Sequence, residues 1–235
     1  MFGAYNKEDE FSYSLGSFPT VELIKNRPED IISIALSSKL TPSDELALFL
    51  NKVKDKTVID DKSIDRISKK GNVFVAAKFR KRYEKFSGAS HVVLVKPSDA
   101  GNLGTIMRTM LGFGLRNLVI VGADAVDEYN PKTVRASMGA VFSLSIEKYD
   151  TFEEYEEAHS ENKYLFMLGG DTPLSKVIPS EKYALIFGNE ATGLPKNYNE
   201  KGPAVLIKHS DAIDSLNLPQ AVGIALYEFT KSRFN

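Results

Sequence analysis

Five short, nearly continuous apolar runs occupy the second half of the chain, and they constrain its fold more than any other feature. They are residues 92–95, 118–121, 164–168, 183–187 and 204–207. Runs of this kind are typical of strands that are buried on both faces. Segments with a helical spacing of apolar residues separate several of them, at residues 103–113, 132–138, 152–158 and 220–230. The alternation predicts an α/β fold with a mostly parallel sheet.

The first half of the chain predicts a smaller α/β unit. Short strands are expected at residues 31–36, 58–59 and 73–76, with helical segments between them, and the polar first ten residues are expected to be frayed. Charged residues and Ser87-Gly88 interrupt the apolar runs between the halves. A length of 235 residues fits two modest domains. We therefore place one domain at residues 1–84 and a second at residues 85–235.

The junction between the last predicted strand and the last predicted helix is a candidate ligand site. The apolar residues 205–207 lead into a polar loop, and apolar positions then recur at helical spacing. Ser215 stands where a helix N-cap is expected, and Pro219 falls within the first helical turn. Ligands of open α/β sheets bind at such strand-to-helix junctions, which makes residues 215–217 candidates for binding.

Three segments resemble, in order, the three motifs of the SpoU (TrmH-like) RNA ribose 2′-O-methyltransferases of the SPOUT superfamily. They are residues 102–108 (NLGTIMR), 187–194 (FGNEATGL) and 215–217 (SLN). The resemblance runs from His91 to the C-terminus. It implies a C-terminal trefoil knot, S-adenosylmethionine as cofactor, structured rRNA or tRNA as substrate, and a homodimer formed through the catalytic domain. The first half resembles, by pattern alone, the L30e-like substrate-binding domain that often precedes this catalytic domain.

The resemblance also implies roles for five catalytic candidates. Arg108 would act as general base on the ribose 2′-hydroxyl, with Asn102 orienting groups beside it. Glu190 would shape the site by accepting hydrogen bonds from neighbouring backbone or from Asn102 and Asn217, while Ser215 and Asn217 would surround the reacting groups. Because arginine normally stays protonated, a phosphate-clamp role for Arg108 is chemically easier, and both roles remain open.

Contacts to the cofactor are implied for six residues, mostly through backbone and apolar atoms. These residues are Leu168, Gly169, Gly188, Asn189, Ile207 and Leu216. The glycine pattern of residues 188–193 is followed by Leu194-Pro195, whereas a P-loop needs lysine and a hydroxyl residue there. The chain also lacks the GxGxxG pattern of dinucleotide-binding folds. After Asn217 the family commonly has valine and serine, and this chain has Leu218-Pro219, which removes a hydroxyl group.

Two segments are candidates for contact with RNA phosphates. Residues 69–85 carry seven basic side chains, among them Lys69 and Lys70, and a single acidic one, although the net charge of the chain is −1. From this basic segment we predict RNA contacts for Lys78, Arg80 and Arg82, the alternative being a solvated face or linker. Residues 135–140 (RASMGA) resemble an element between the first two family motifs, which makes Arg135 and Ser137 further candidates. Simple packing of that helix through Val134 and Met138 explains the same pattern equally well.

Several classes of function are disfavoured. The chain has no cysteine, which excludes disulfides and thiolate chemistry, and His91, His159 and His209 show no metal-ligand spacing, so no metal is predicted. No apolar run approaches the length of a membrane span, and the polar start lacks a signal-peptide pattern, so a cytoplasmic protein is expected. Two alternatives remain: an RNA-binding protein that has kept the fold but lost catalysis, and a small-molecule enzyme on a doubly wound sheet.

Overall fold

The computed structural model describes residues 2–67 and 72–234, and these residues form two compact units. The first unit comprises Met1–Arg82 and Asp127–Ser143, and the second comprises Tyr83–Val126 and Leu144–Asn235. The first unit ends two residues before the boundary expected at residue 84. A stretch of the second half, Asp127–Ser143, packs with the first unit. Lys69 and Lys70 of the basic segment lie outside the described residues.

Eleven strands and seven α-helices are described. The strands are β1 (Phe11–Leu15), β2 (Ile31–Leu36), β3 (Thr57–Ile59), β4 (Val75–Arg80), β5 (His91–Val95), β6 (Asn117–Val121), β7 (Ser145–Tyr149), β8 (Asn162–Phe166), β9 (Thr172–Pro173), β10 (Tyr183–Phe187) and β11 (Ala204–Leu206). The helices are α1 (Ser17–Asn26), α2 (Asp44–Lys52), α3 (Asp61–Ile67), α4 (Ala100–Gly112), α5 (Pro131–Ala136), α6 (Phe152–Ala158) and α7 (Leu218–Thr230). Among the described residues, no helix combines the length and the apolar character needed to cross a membrane.

The first unit is built on a four-stranded sheet of order β1-β4-β2-β3. Strand β4 pairs antiparallel with both β1 and β2, and β2 pairs parallel with β3. Helix α5 belongs to this unit. Gly139, just beyond α5, has a φ of +84°, and a Cβ atom there would lie 2.6 Å from Cβ of Glu22 on α1. A glycine is therefore needed where α5 ends.

The N-terminal residues are ordered into this unit, and the expectation of a frayed start is wrong. Phe2 is only 2% exposed, and its ring stacks on that of Tyr13 at a centroid distance of 5.4 Å. The backbone N–H of Gly3 donates to the Tyr13 hydroxyl over 3.0 Å. Strand β1, which sequence periodicity missed, provides the surface that buries Phe2. Local polarity failed as a guide because the burial depends on a partner strand, β4, some 65 residues away.

The second unit contains a seven-stranded sheet of order β7-β6-β5-β10-β8-β11-β9, in which every pair of neighbours is parallel. The side chains of β5 and β10 are buried throughout, which explains their continuous apolar sequences. The predicted mostly parallel α/β fold is confirmed. Strand β7 was missed because it lies at an edge of the sheet and carries polar side chains at Ser145, Glu147 and Lys148.

Side-chain caps define where the helices of this unit begin. Asp99 caps α4 by accepting a hydrogen bond from the backbone N–H of Asn102 over 2.7 Å. Thr151 forms a reciprocal capping box with Glu154 at the start of α6. The N-cap of α7 is Asn217, so the prediction of Ser215 as the cap is wrong by two residues, whereas Pro219 does lie in the first turn. The polar residues before Asn217 remain in the loop because Pro219 fixes where the first turn can form.

Replacing Phe2 with alanine tests whether the N-terminus is part of the core. We expect Phe2→Ala to lower the free energy of unfolding by about 3 kcal/mol, as for other buried phenylalanines. Phe18→Ala is the matched control, because Phe18 is 67% exposed and a surface substitution should change stability by less than about 0.5 kcal/mol. Urea denaturation measures both. Equal stability of the two variants would contradict burial of the N-terminus.

Candidate functional site

A cavity of about 510 Å³ opens at the carboxyl ends of β8, β10 and β11. Volumes of this size are common for small-molecule and cofactor sites. The wall consists of residues that follow these three strands and of the loop before α7. The lining includes Leu168, Gly169, Gly188, Asn189, Glu190, Lys196, Asn199, Ile207, His209, Ser215 and Leu216. All six residues predicted to contact a cofactor thus line one cavity, as do Glu190 and Ser215.

The floor of the cavity is apolar and rigid. The rings of Phe166 and Phe187, at the ends of β8 and β10, stack with centroids 4.4 Å apart and an interplanar angle of 11°. Val205 on β11 is fully buried beside them and also lines the cavity. This part of the wall therefore offers apolar and aromatic contacts to a bound ligand.

The loop after β10 is closed by the side chain of Asn189. Its amide donates to the Lys96 carbonyl over 2.8 Å, and its Oδ1 accepts from the backbone N–H groups of Ala191 and Thr192 over 2.9 and 3.3 Å. The backbone N–H of Gly193 donates to the Asn189 carbonyl over 2.9 Å. These bonds fold residues 189–193 into a tight turn and attach it to the Lys96 carbonyl.

Gly188 is where this turn approaches its own strand most closely. A Cβ atom at this position would lie 2.1 Å from the carbonyl carbon of Gly193 and 2.3 Å from the backbone nitrogen of Leu194. Both neighbours are backbone atoms, which cannot rotate away. Only glycine fits, so the motif glycine is explained by backbone-to-backbone packing at the cavity wall.

Glu190 connects this loop to the start of α4. Its Oε2 accepts from the backbone N–H and the hydroxyl of Ser98 over 3.0 and 2.7 Å. Its Oε1 accepts from the backbone N–H of Asp99 and from the side-chain amide of Asn102, each over 3.2 Å. Partial burial alone would raise the pKa of Glu190, but the hydrogen bonds from Ser98, from backbone N–H groups and from Asn102 outweigh it and hold the pKa below its usual value. The predicted contact of Glu190 with Asn102 is confirmed, whereas no bond to Asn217 is present.

Three of the catalytic candidates lie outside the cavity lining. Asn102 reaches the site through Glu190. Arg108 is exposed on α4, and its side chain makes no hydrogen bond or ion pair with residues 2–67 or 72–234. Asn217 is also exposed, and its side chain does not cap α7. The structure therefore joins the first two motifs directly, through the hydrogen bond from Asn102 to Glu190. Within the described residues, the side chains of Arg108 and Asn217 make no hydrogen bond or ion pair.

Two polar lining residues close to the second motif were missed by sequence reasoning. Lys196 and Asn199 follow the Leu194-Pro195 pair and line the same cavity. The only signal for them was their position directly after the second motif. His209, which shows no metal-ligand spacing in the sequence, also lines the cavity, and one of its ring nitrogens lies 3.0 Å from the Ser210 carbonyl.

The RNA-contact candidates of the basic segment differ in how free they are. The ammonium of Lys78 lies 3.5 Å from the centroid of the Phe11 ring. Arg82 pairs with Glu29 and Asp30, with both distances 2.8 Å, so its guanidinium already has anionic partners. Arg80 is exposed, and its side chain makes no hydrogen bond or ion pair within the described part of the chain. Of the three, Arg80 is the side chain most available to a phosphate.

The other two candidates for RNA contact, Arg135 and Ser137, also differ in how accessible their side chains are. Arg135 is exposed on α5. Ser137 is fully buried, and its hydroxyl donates to the Val134 carbonyl over 2.8 Å. The expectation that Ser137 contacts a phosphate is therefore wrong, because its only polar group faces its own helix end.

The model of the SpoU rRNA methylase family matches residues 89–227. The chain belongs to this family. The matched range begins two residues before β5 and ends within α7, and it contains every residue that lines the cavity.

Named relatives of the family act on RNA. The chain is 31% identical over 148 residues to the 23S rRNA (guanosine(2553)-2′-O)-methyltransferase RlmP of Bacillus subtilis, a match that covers 61% of this chain and 59% of the relative. It is 32% identical over 141 residues to the 23S rRNA (adenosine(1067)-2′-O)-methyltransferase of Streptomyces azureus, covering 58% and 52%. The chain thus spans between half and two thirds of the length of these SpoU relatives.

Solved structures of the family extend the likeness to nearly the whole chain. An AdoMet-bound rRNA methyltransferase from Sinorhizobium meliloti matches with a TM-score of 0.79 and 25% identity, covering 95% of this chain and 88% of the other. The SpoU methyltransferase AviRb from Streptomyces viridochromogenes matches with a TM-score of 0.82 and 21% identity, covering 96% and 91%. The second likeness shows the fold alone.

Substituting Gly188 tests the close approach of the loop to its strand. Gly188→Ala should lower the free energy of unfolding by about 1–3 kcal/mol, the usual cost of forcing extra volume into a packed site. Gly112→Ala is the matched control, since a Cβ there meets no atom within 4 Å, and it should leave stability unchanged or slightly raised. Chemical denaturation compares the two. Equal effects would contradict the packing argument.

The pKa of Glu190 predicts a pH dependence of stability. A carboxyl whose pKa is lower in the folded state stabilises the fold above its unfolded pKa of about 4.3, and that stabilisation is lost as pH falls through the folded value. We expect the stability difference between the wild type and Glu190→Gln to be constant above about pH 5.5 and to shrink below about pH 4. Urea titrations across this range measure it. A difference that is independent of pH would show that the Glu190 carboxylate is not held by these donors.

Proposed function

We propose that this chain transfers a methyl group from S-adenosylmethionine to a ribose 2′-oxygen of structured rRNA or tRNA. The observation that carries the proposal is the hydrogen bond between Asn102 and Glu190, which joins two family motifs 88 residues apart at the wall of a cofactor-sized cavity. Family membership, the rRNA substrates in the names of the relatives and the AdoMet-bound neighbour support the reaction class.

The cavity fits the chemistry of this cofactor. The stacked rings of Phe166 and Phe187 and the backbone at Leu168-Gly169 suit an adenine. Gly188 brings the loop backbone close to the cavity wall without a side chain. S-adenosylmethionine supplies an electrophilic methyl carbon on a positively charged sulfur. On transfer to the ribose 2′-oxygen the neutral thioether would be the leaving group, and the hydroxyl proton would pass to a base, the role that the family resemblance implies for Arg108.

The protein's contribution is orientation and proton removal. In-line displacement requires oxygen, carbon and sulfur to be collinear, and such positioning can lower a barrier by several kcal/mol. Glu190 links the loop that lines one side of the cavity to the start of α4, and α4 is the helix that carries Arg108. Arg108 is unpaired within the described residues, so its guanidinium is available to a phosphate or hydroxyl of the incoming RNA. Ser215 and Asn217 supply polar groups beside the reacting atoms.

Substrate contact in this proposal also uses the exposed arginines Arg80 and Arg135. Both lie in the first compact unit, which serves as the substrate-binding domain, and the second unit serves as the catalytic domain. Lys78 lies on β4 together with Arg80 and adds positive charge there. Arg82 is assigned a structural role because Glu29 and Asp30 hold it. The carboxyl-terminal loops after Phe187 and Leu206 and helix α7 would form the trefoil knot of the family.

Removal of Arg108 tests the catalytic assignment. Arg108→Ala should lower methyl transfer to RNA by at least about 100-fold, the lower end of what a positioned proton acceptor contributes, while S-adenosylmethionine binding measured by calorimetry stays within a few-fold. Lys182→Ala is the matched control, because Lys182 is an exposed cation just before β10, at the opposite end of that strand from the cavity. Full activity of Arg108→Ala would remove Arg108 from the mechanism.

The same measurements separate the two alternative functions. An RNA-binding protein without catalysis would show no heat with S-adenosylmethionine. A small-molecule enzyme would bind cofactor but show no loss of turnover when Lys78, Arg80 and Lys81 are neutralised and the structural Arg82 is kept. Only the proposed enzyme requires both the cofactor and the basic side chains.

We also propose a homodimer formed through α7. Val222 and Phe229 on this helix are 0% and 5% exposed and pack within the chain. The exposed apolar side chains are instead Ile224, Tyr227 and Phe234, and the rings of Tyr227 and Phe234 lie 6.3 and 6.4 Å from that of Phe113 on α4's C-cap. Tyr227→Asp should shift a dimer toward monomer in sedimentation velocity, whereas Ile178→Asp, at an even more exposed site elsewhere, should not. A monomeric wild type at micromolar concentration would contradict the dimer.

A further inference from the structure

A second cluster of chemically active side chains lies at the amino-terminal edge of the parallel sheet. His91 is the first residue of β5, His159 is the C-cap of α6, and Glu161 directly precedes β8. The side chains of His159 and Glu161 are 1% and 5% exposed, and His91 is fully buried. One ligand-type atom from each residue lies within 4.8 Å of the others. None of the three lines the cavity at the carboxyl edge.

The hydrogen bonds of His159 fix which of its ring nitrogens carries a proton. Nε2 lies 3.1 Å from Oε2 of Glu147, and a carboxylate can only accept, so Nε2 is the donor. Glu147 is committed to this role, since its other contacts are the Phe86 backbone N–H and the Tyr149 hydroxyl, both donors. The lone pair of His159 therefore lies on Nδ1.

That lone pair faces an anion. Nδ1 of His159 and Oε2 of Glu161 are 3.5 Å apart, and each is buried without a hydrogen-bond partner in the described structure. Two acceptors at this separation repel each other unless a positive species lies between them or bridges them. The arrangement thus requires either a proton or a cation at this point.

His91 shows the same division of roles. Nδ1 lies 2.8 Å from the Ala89 carbonyl and must donate to it, so Nε2 carries the lone pair, which accepts from the Tyr155 hydroxyl over 2.8 Å. In metal sites, a ligating histidine donates its other ring N–H to a carboxylate or a backbone carbonyl. His159 does the first through Glu147, and His91 does the second through Ala89.

We infer that His91, His159 and Glu161 form a site for a divalent transition-metal ion such as Zn²⁺. Two imidazoles and a carboxylate form a donor set that binds such ions in preference to Mg²⁺ or Ca²⁺. The ion takes Nε2 of His91, Nδ1 of His159 and Oε2 of Glu161, with water in the fourth position, and the Tyr155 hydroxyl turns to that water. Within the described residues, the ionic contacts of Glu147 and Glu161 go to His159 alone. A dication therefore neutralises the two buried carboxylates, whereas one proton on His159 leaves a net charge of −1.

The role of this site is structural. It joins the start of β5, the end of α6 and the start of β8, and β5 and β8 are the two neighbours of β10 in the sheet. A metal at this edge holds β5 and β8 together on either side of β10, and β8 and β10 end at the cavity on the opposite edge. Binding to the folded state alone raises stability by linkage.

Metal uptake by the full-length chain tests the inference. After treatment with a chelator and desalting, the wild type is titrated with zinc chloride, and bound metal is counted by mass spectrometry. We expect one Zn²⁺ per chain, a higher thermal midpoint with zinc, and an intense visible spectrum of four-coordinate Co²⁺ when cobalt replaces zinc. Failure of the wild type to retain either metal overturns the inference and leaves a proton between His159 and Glu161.

Three variants locate the bound metal. Glu161→Gln keeps the shape of the side chain but removes the anionic ligand, and it should weaken zinc binding at least tenfold. Glu147→Gln leaves the ligands intact and should weaken binding by about 10–100-fold, as expected for the partner of a ligating histidine. The chain has only three histidines, so His209→Gln is the matched control and should leave the stoichiometry and the cobalt spectrum unchanged. Unchanged binding by Glu161→Gln, or loss of binding in His209→Gln, would place the metal elsewhere and overturn the inference. The wild-type measurement decides the matter even if a variant fails to fold.

Discussion

The carboxylate of Glu190 is the interaction on which the candidate active site depends. It comes from the loop after β10 and accepts four hydrogen bonds, from Ser98, Asp99 and Asn102 at the start of α4. Strands β10 and β5 are neighbours in the sheet, so this one side chain ties together the loops that leave adjacent strand ends. Its charge is balanced by N–H and O–H donors, with no ion pair among the described residues. Such a carboxylate fixes geometry while leaving the nearby cations free for a substrate.

The strand order makes this connection possible. Because β10 lies between β5 and β8, and β11 pairs with β8, the loops that leave these four strands emerge side by side at one edge. Residues that are far apart along the chain therefore meet without any long loop to bring them together. Gly188 permits the closest of these approaches, and the stacked rings of Phe166 and Phe187 form a surface that does not need to rearrange when a ligand binds. The cavity is largely preformed, which is the usual condition for cofactor sites.

The two edges of the same sheet use ionisable groups in opposite ways. On the side of the candidate active site, Arg108 on α4 and Lys196 in the cavity lining are exposed and available to ligands. At the amino edge, His159 and Glu161 are buried and face each other as acceptors. Buried charges are costly unless they are paired or coordinate a metal, so the amino edge must be neutralised for the sheet to be stable. The proposed metal site is one solution of that requirement, and it separates a structural edge from a chemical one.

The sequence by itself determined the fold class, most of the parallel strands and the motif residues that line the cavity. Continuous apolar runs and helical periodicity are local signals, and motif residues such as Gly188, Glu190 and Leu216 occur at recognisable positions. Tertiary structure alone decided what depends on distant partners. It buried Phe2 against β1, paired Arg82 with two carboxylates, and brought His91 within reach of His159 and Glu161. Those outcomes rest on contacts between residues remote in sequence, and neither composition nor spacing records which distant side chains will share one buried volume.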